Sequence, residues 1–466
     1  MTTAPPASEQ GPSVRARALT FLGCLLGSLI IAYLPPHDGL EPASRACLFI
    51  ALFAAGLWVT GAIPAFAVGV LVMGLEIAIL GKPGGVFAEK PNDWVTFVQP
   101  WSSPVIWLFF GGFTLAEAAH RTNLDRWMTE WTLQRCGGRP SLLLFGVMAS
   151  AFLFSMFISN TAATAMLMAV LAPLSATMSE VNPFKKGLVL AVPFAANIGG
   201  MATVIGSPPN AIAVGSLAPI APVQFFEWML IGGAPAILLA VLMYVYLTIM
   251  YPSNQKTLSG LEKTGVPLQP EPGQQTQRYF VMGVFAATVL LWMSGPLHGI
   301  PSPVISFLPI TALTVLGVLR EEDIRRLPWD VLLLLTGGLS LGVAVTQTGL
   351  AEWLVSQIPT EGISAFAVVV ALAYFCSILS NLMSNTAAAN ILIPIALAMG
   401  IGVEAKYVIP IAIAASSAMC LPVSTPPNAI AFATGAVNTT DFVKGGLIVG
   451  ILTPPLATAW VWWVLG

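Results

Sequence analysis

The run Ser155-Met-Phe-Ile-Ser159-Asn160-Thr161-Ala162-Ala163 returns 225 residues later as Ser380-Asn-Leu-Met-Ser384-Asn385-Thr386-Ala387-Ala388. Downstream, Ser207-Pro208-Pro209-Asn210-Ala211-Ile212-Ala213 returns 218 residues on as Thr425-Pro426-Pro427-Asn428-Ala429-Ile430-Ala431. A weaker third match pairs Gly111-Gly112 with Gly337-Gly338, followed by Trp127 and Trp353. Three matches in one order mean an internal duplication, so the chain must fold as two copies of one unit.

The medium of that fold is lipid. Hydrophobic residues make up 56% of the chain and charged ones 9%, where a soluble domain carries about 25% charge. So few charges cannot cover a globule of 466 residues, which excludes a soluble enzyme, a secreted scaffold or a disordered chain. A span needs about 20 mostly apolar residues at roughly 1.5 Å rise each. Candidate runs lie at 18–34, 45–62, 64–81, 103–119, 187–214, 228–250, 279–295, 303–319, 331–348, 407–432 and 444–465, with two longer uncharged stretches at 141–179 and 363–400. The first run reads as a retained span rather than a signal peptide, because no cleavage site follows it. The polar interval 253–278 divides the copies as a linker. Cys24, Cys47, Cys136, Cys376 and Cys420 show no CxxC spacing, and His37, His120 and His298 share no motif with them, so neither a disulfide framework nor a zinc site is indicated. The net charge of −2 gives no sign of a nucleic-acid partner.

Five candidate spans separate the two uncharged stretches, and an odd number of crossings returns the chain on the opposite face. The second copy is therefore inverted, provided each stretch enters and leaves on one face as a re-entrant hairpin with Ser159-Asn160-Thr161 or Ser384-Asn385-Thr386 at its tip. With the N-terminus cytoplasmic, only Arg45, Lys82, Lys90 and Lys406 of the 19 basic residues fall outside, which is the asymmetry the positive-inside rule asks for. The sequence thus predicts an all-α polytopic membrane protein of about eleven transmembrane helices plus two re-entrant hairpins in inverted repeats, in the plasma (inner) membrane, N-terminus cytoplasmic and C-terminus outside.

Pro208-Pro209 and Pro426-Pro427 remove consecutive N–H donors inside apolar spans and bias the preceding residue away from helix, so breaks are expected at Ser207 and Thr425. Both breaks are polar (Gly206, Ser207, Asn210; Ser424, Thr425, Asn428), which a lipid-facing kink would not be. Two tips and two broken helices meeting at the midplane are the anatomy of a secondary transporter. No Lys, Arg or His lies between Arg139 and Lys185, nor between Glu361 and Lys406, so the charge of an anionic substrate must be met by helix N-termini, backbone N–H groups and bound ions. Asn and Ser/Thr oxygens suit a hard cation such as Na+. The i, i+4 spacing of Ser155 with Ser159, and of Ser380 with Ser384, predicts two oxygens on one helix face beside each tip.

Twin Ser-Asn-Thr hairpins, each followed by a Ser/Thr-Pro-Pro-Asn break, resemble the divalent anion/sodium symporter family of INDY-type di- and tricarboxylate transporters, from about residue 15 to the end of the chain. The resemblance implies a homodimer working as an elevator, with C4-dicarboxylates (succinate, malate, fumarate) moved together with sodium. Residue by residue, it implies one sodium site at Ser155, Ser159, Asn160 and the Gly206 carbonyl, and a second at Ser380, Met383, Asn385 and Ser424. The substrate would meet Asn160, Thr161, Ser207, Ser384, Asn385, Thr386, Thr425 and Pro426. The implied division is a tail (1–13), first scaffold spans (14–138), a first repeat core (139–252), a cytoplasmic linker (253–278), second scaffold spans (279–361) and a second repeat core (362–466).

A sodium-independent exchanger or a sulfate permease on the same fold is the alternative. A proton antiporter would need a titratable carboxylate or histidine in the hairpins or breaks, and they hold none. An intramembrane hydrolase is excluded by the lack of HExxH, Ser/His pairing or an intramembrane Asp pair, so no enzyme activity is expected. Glu76 and Glu117 lie within or near spans but outside the duplicated core, where a scaffold hydrogen bond is the simpler role. Gly111-Gly112 and Gly337-Gly338 suit close helix packing.

Overall fold

A computed structural model describes residues 13–136, 138–179, 182–257, 273–358 and 362–466. The expected tail, apart from Ser13, and residues 258–272 of the expected linker lie outside these. Every regular element among the described residues is helical. The first copy runs α1 (Val14–Tyr33), α2 (Pro42–Thr60), α3 (Ala65–Leu75, widening into a π-helical turn at Glu76–Gly81), α4 (Pro104–Arg121), α5 (Leu124–Arg135), α6 (Pro140–Ser155), α7 (Asn160–Ala176), α8 (Pro183–Gly199), α9 (Pro208–Leu217) and α10 (Phe225–Met250). The second runs α11 (Gln274–Met293), α12 (Gly295–His298), α13 (Ser302–Ile305), α14 (Phe307–Val315), α15 (Glu321–Arg325), α16 (Trp329–Gln347), α17 (Leu350–Ser356), α18 (Ala365–Leu382), α19 (Asn385–Met399), α20 (Glu404–Ala415), α21 (Pro426–Ala433) and α22 (Thr439–Val464). Among the described residues, six helices (α1, α2, α10, α16, α18 and α22) combine the length and apolarity needed to cross a bilayer, which makes this a multi-pass membrane protein.

The duplication extends well beyond the motifs. Helices α4 to α10 find their counterparts, in order, in α16 to α22. Each uncharged stretch is a pair of helices folded back on each other, α6 with α7 and α18 with α19. Each Pro-Pro pair opens a new helix at its first turn, where a missing N–H leaves nothing unsatisfied. The residues before them, Ser207 and Thr425, are extended as the prolines require (φ −149° and −140°). The unwound segments are wider than the prolines alone dictate, covering 200–207 and 416–425. The helices leading into them form the centre of the molecule: α8 is buried from Gly187 to Gly199 and α20 from Tyr407 to Ala415.

Three expectations change. Ser155 and Ser159 do not share a helix face, and neither do Ser380 and Ser384: α6 ends at Ser155 and α18 at Leu382, while Ser159 and Ser384 are the N-caps of α7 and α19. The chain reverses between them, so the serine spacing marks a turn. The run at 303–319 is two short helices, because Pro309 has no N–H to offer the carbonyl of Ile305 and the helix interrupts at Ser306. Helices α5 and α17 were not expected, being too short and too polar to register as spans.

Paired glycines set the contacts around this core. A methyl built on Gly337 would lie 2.3 Å from Gly69 Cα, and one on Gly111 2.5 Å from Ser306 Cβ, so the first glycine of each pair lets its helix pack directly on α3 or on the interruption between α13 and α14. The second glycine meets the repeat core, Gly112 at Ile205 and Gly338 at Asn390. Glu76 is fully buried, and its carboxyl group meets the Ser340 hydroxyl, which also bonds the Phe97 carbonyl (2.8 Å).

Candidate functional site

The first tip is fastened to the first break by side chains that the repeat places at its ends. Ser155 donates its hydroxyl to the Asn160 side-chain oxygen, closing the turn from α6 into α7. Thr203 donates to the Met156 carbonyl and accepts from the Gly206 N–H (3.0 Å), so the unwound chain lies along the tip. Asn210, the last residue of the Ser-Pro-Pro-Asn run, reaches back to the carbonyls of Gly200 (2.9 Å) and Thr203 (2.7 Å) and holds the loop open. The space left is small and lined with oxygen: a methyl on Gly200 would stand 2.8 Å from the Asn160 amide and 3.0 Å from the Gly206 carbonyl oxygen, and one on Gly206 would stand 3.1 Å from the Ser155 carbonyl oxygen. Ser155, Asn160 and Gly206, three of the four residues expected in the first sodium site, thus form one cradle. Ser159 stands apart, exposed at the mouth of a neighbouring cavity.

The second tip repeats the design. Ser380 donates to the Asn385 side-chain oxygen (2.8 Å) and lies 2.7 Å from the Ala415 carbonyl. Asn428 bonds the carbonyls of Met419 and Leu421 (both 3.0 Å), the positions equivalent to Met201 and Thr203. Ser424 bonds the Asn381 side chain (2.9 Å), and Asn381 also accepts from the Cys420 N–H (2.9 Å). Met383 carries the extended backbone of the reversal, and Ser384 caps α19 through the Ala387 N–H (3.2 Å). Ser384 and Pro426 are exposed, Asn385 half-buried and Thr386 buried.

The copies are stitched to each other across the centre. Ser207 meets Ser416 hydroxyl to hydroxyl (2.8 Å), and the Asn197 amide donates to Thr425 Oγ1 (3.1 Å). The two hydroxyls expected at the substrate, on Ser207 and Thr425, are therefore 2% and 4% exposed and engaged by the opposite copy. Helix α7 packs on α21 and α9 on α19, so each hairpin arm leans on the other copy's half-helix. Four helix N-termini are gathered among Asn and Ser side chains: those of α7 and α19 begin on Asn160 and Asn385, which keep their backbone N–H groups, while those of α9 and α21 begin on paired prolines and contribute the positive end of the helix dipole alone. No cluster of His, Cys, Asp or Glu suited to a metal occurs among the described residues, so any cation here meets neutral oxygens.

One side of the site is open. A cavity of about 710 Å³ between α4, α5 and α7 reaches Ser159, Thr161 and Ala165 and is bordered by Glu117, His120 and Arg126. The second copy has a smaller counterpart, about 460 Å³ and lined by Leu339, Gly342, Val343 and Thr346 of α16, but it does not reach the tip, and beside the tip the equivalent position is shut. Asn390, 225 residues after Ala165, is 1% exposed against Gly338 of α16, and neither its amide nitrogen nor its oxygen has a partner.

Sequence reasoning found the tips and breaks but missed Asn197, Thr203, Asn381 and Ser416. Asn381 left one signal, a second polar residue beside Ser380 where the first copy has Met156.

The profile of the citrate transporter family matches residues 47–405. A sodium-dependent dicarboxylate transporter of Staphylococcus saprophyticus is 30% identical, the alignment covering 93% of this chain and 88% of that protein. One of Staphylococcus aureus is 30% identical over 95% of this chain and 90% of its own length.

Proposed function

Since the chain belongs to the citrate transporter family, in keeping with the divalent anion/sodium symporter motifs it carries twice, we propose that it moves C4-dicarboxylates such as succinate, malate and fumarate across the membrane by sodium symport. It is a transporter, not an enzyme. The observation that carries the reading is the twofold oxygen cradle: Ser155 with Asn160 against Gly200 and Gly206, and Ser380 with Asn385 against Ala415. Carbonyl, amide and hydroxyl oxygens with no carboxylate hold Na+ without trapping it. A bound sodium at each tip supplies the positive charge that the side chains lack. The dianion then completes its shell from the N-termini of α7, α9, α19 and α21 and from Asn160, Thr161, Ser384, Asn385 and Thr386. Ser207, Thr425 and Pro426 shape the wall behind it.

Ser159 reaches the ion through backbone or solvent, and Met383 and Ser424 complete the second site. The cores 139–252 and 362–466 travel as one transport unit against the scaffolds 14–138 and 279–361 of a homodimer, with eleven spans and two re-entrant hairpins, N-terminus inside and C-terminus outside. The open first-copy cavity and the shut second-copy position fit one end state of such a cycle, open towards the turn from α4 into α5, where Arg121 and Arg126 lie. The family's citrate name favours a tricarboxylate as the second reading.

Uptake of labelled succinate, citrate and sulfate into proteoliposomes under sodium, potassium and choline gradients tests both. Succinate uptake that requires sodium is the expected result. Equal rates in sodium and choline would overturn the coupling, and preference for citrate or sulfate would reassign the cargo.

A further inference from the structure

Helix α5 creates a site that the transport cycle does not explain. At about 1.5 Å per residue it is roughly 18 Å long, too short to span, and it turns Leu124, Asp125, Thr129 and Leu133 inward. Beneath it, an apolar cavity of about 550 Å³ opens between α5, the first hairpin and α11, walled by Leu153, Phe154, Phe157, Met282 and Phe285. Next to it lies a polar cavity of about 300 Å³ that holds Asn123, Arg126, Glu130, Gln134 and Arg278. Trp127 and Trp131 belong to both walls, so the two spaces are one groove with an apolar floor and a polar mouth.

The charge of the mouth is positive. Arg126 is neutralised by Glu130 (Nε to Oε1, 2.8 Å), but Arg278, which lines the cavity, engages its Nε with the Thr122 carbonyl (3.1 Å) and has no carboxylate partner among the described residues. Arg135 stacks over the Trp131 ring, 3.9 Å from its centroid, beside the same mouth. A planar fork is the geometry that takes a phosphate oxygen pair. Tryptophans at the boundary between apolar and polar walls mark the headgroup level of a bilayer.

We propose that this groove is a binding site for one anionic glycerophospholipid, with its phosphate on Arg278 and its acyl chain under the first hairpin. The chain would touch Phe157 and Ile158, directly before Ser159, so the bound lipid buttresses the tip of the first cradle. An annular lipid would show no headgroup preference, whereas each near-surface cation here raises affinity for an anionic headgroup about five-fold.

The test is lipid retention by the full-length protein in detergent, read by native mass spectrometry and by thermal unfolding, with phosphatidylglycerol and phosphatidylcholine of matched chains added separately. Wild type is expected to retain phosphatidylglycerol preferentially and to unfold at a higher temperature with it. Arg278→Gln is expected to lose about five-fold of that preference while unfolding as wild type does without lipid. Ala286→Leu, which fills the floor, is expected to reduce retention of both lipids. Equal retention of the two lipids by wild type, or an undiminished preference in Arg278→Gln, would overturn the site. Because the readout is binding, it stands or falls independently of which anion is carried.

Discussion

Ser207 and Ser416 lie 209 residues apart in the chain and 2.8 Å apart at the centre of the fold, hydroxyl against hydroxyl. With Asn197 on Thr425 (3.1 Å), they join the unwound segment of each copy to the place where the other's entering helix ends, so neither break is held by its own repeat alone. The unwound backbone is tolerated because the opposite copy supplies polar partners.

This pair separates stitching from substrate contact. Ser207→Ala and Ser416→Ala should each destabilise by about 0.6 to 1 kcal/mol, and the double variant by little more than either single one. Unfolding in detergent gives the cycle, and uptake kinetics give the second axis. A KM raised by Ser207→Ala alone would mean that its hydroxyl serves the substrate, whereas matched KM values in both variants assign it to the seam.

Asn160 and Asn385 close the two tips. Asn160→Ala and Asn385→Ala should each abolish transport while changing unfolding by no more than about 1 kcal/mol. Gly200→Ala places a methyl 2.8 Å from the Asn160 amide and should weaken sodium activation at least ten-fold with the fold intact. Gly199→Ala should unfold the protein, since its methyl would meet the Phe152 backbone at 2.4 Å. An Asn160→Ala protein that transports with normal coupling would remove the first cradle from the mechanism.

Asn390 is buried with both amide atoms unpaired, a state that disfavours the conformation seen here by about 1 to 3 kcal/mol. Asn390→Leu, of similar size, should raise the unfolding temperature and slow turnover by holding the second copy shut. Faster transport, or a less stable protein, would show that the amide has a partner.

Asp323 lies 3% exposed between α14 and α16, where burial would raise its pKa. The Arg320 N–H (2.7 Å) and the Arg121 guanidinium outweigh this and hold the carboxyl below its ordinary value. A depressed folded-state pKa gives stability that is fully present above the unfolded pKa, about 3.9, and lost as the pH falls through the lower folded value. Wild type should therefore show this contribution unchanged from pH 8 to 5 and lose it only below about 4. Asp323→Asn should be less stable at neutral pH and lack that acid-limb loss.

The breaks and hairpins were legible because proline and the absence of charge act locally: Pro208 and Pro426 cannot sit inside a helix, and a run such as 363–400 has nowhere to go but lipid or core. Asn197 and Ser416 were not legible, since each works across the copies from a position outside the repeated motifs. Asn381 was not legible from the repeat, because only one copy possesses it: Met156 holds the equivalent place in the other. The serine spacing misled for a related reason, an i, i+4 interval being as compatible with a turn as with a helix.

The state of the molecule makes the two tips unequal to a chemical probe. Ala162 is exposed and lines the 710 Å³ cavity, while its counterpart Ala387 is fully buried. In a cysteine-free protein held without ligands, Ala162→Cys should react with an impermeant maleimide added on the side of Arg121 and Arg126, the cytoplasm by the distribution of basic residues. Ala387→Cys should stay unreactive from both sides until sodium and substrate set the protein cycling, and should then react from the opposite side. Controls at the hairpin bases, Thr177→Cys and Ile401→Cys, should label from inside and outside respectively. Saturating sodium and succinate should slow Ala162→Cys, because a re-entrant tip ends beside the site. A tip that had crossed the bilayer would sit in bulk water on the far side and react whatever is bound. Fast, ligand-insensitive labelling of Ala162→Cys would therefore remove the re-entrant hairpin, and the proposed cradle at Asn160 with it.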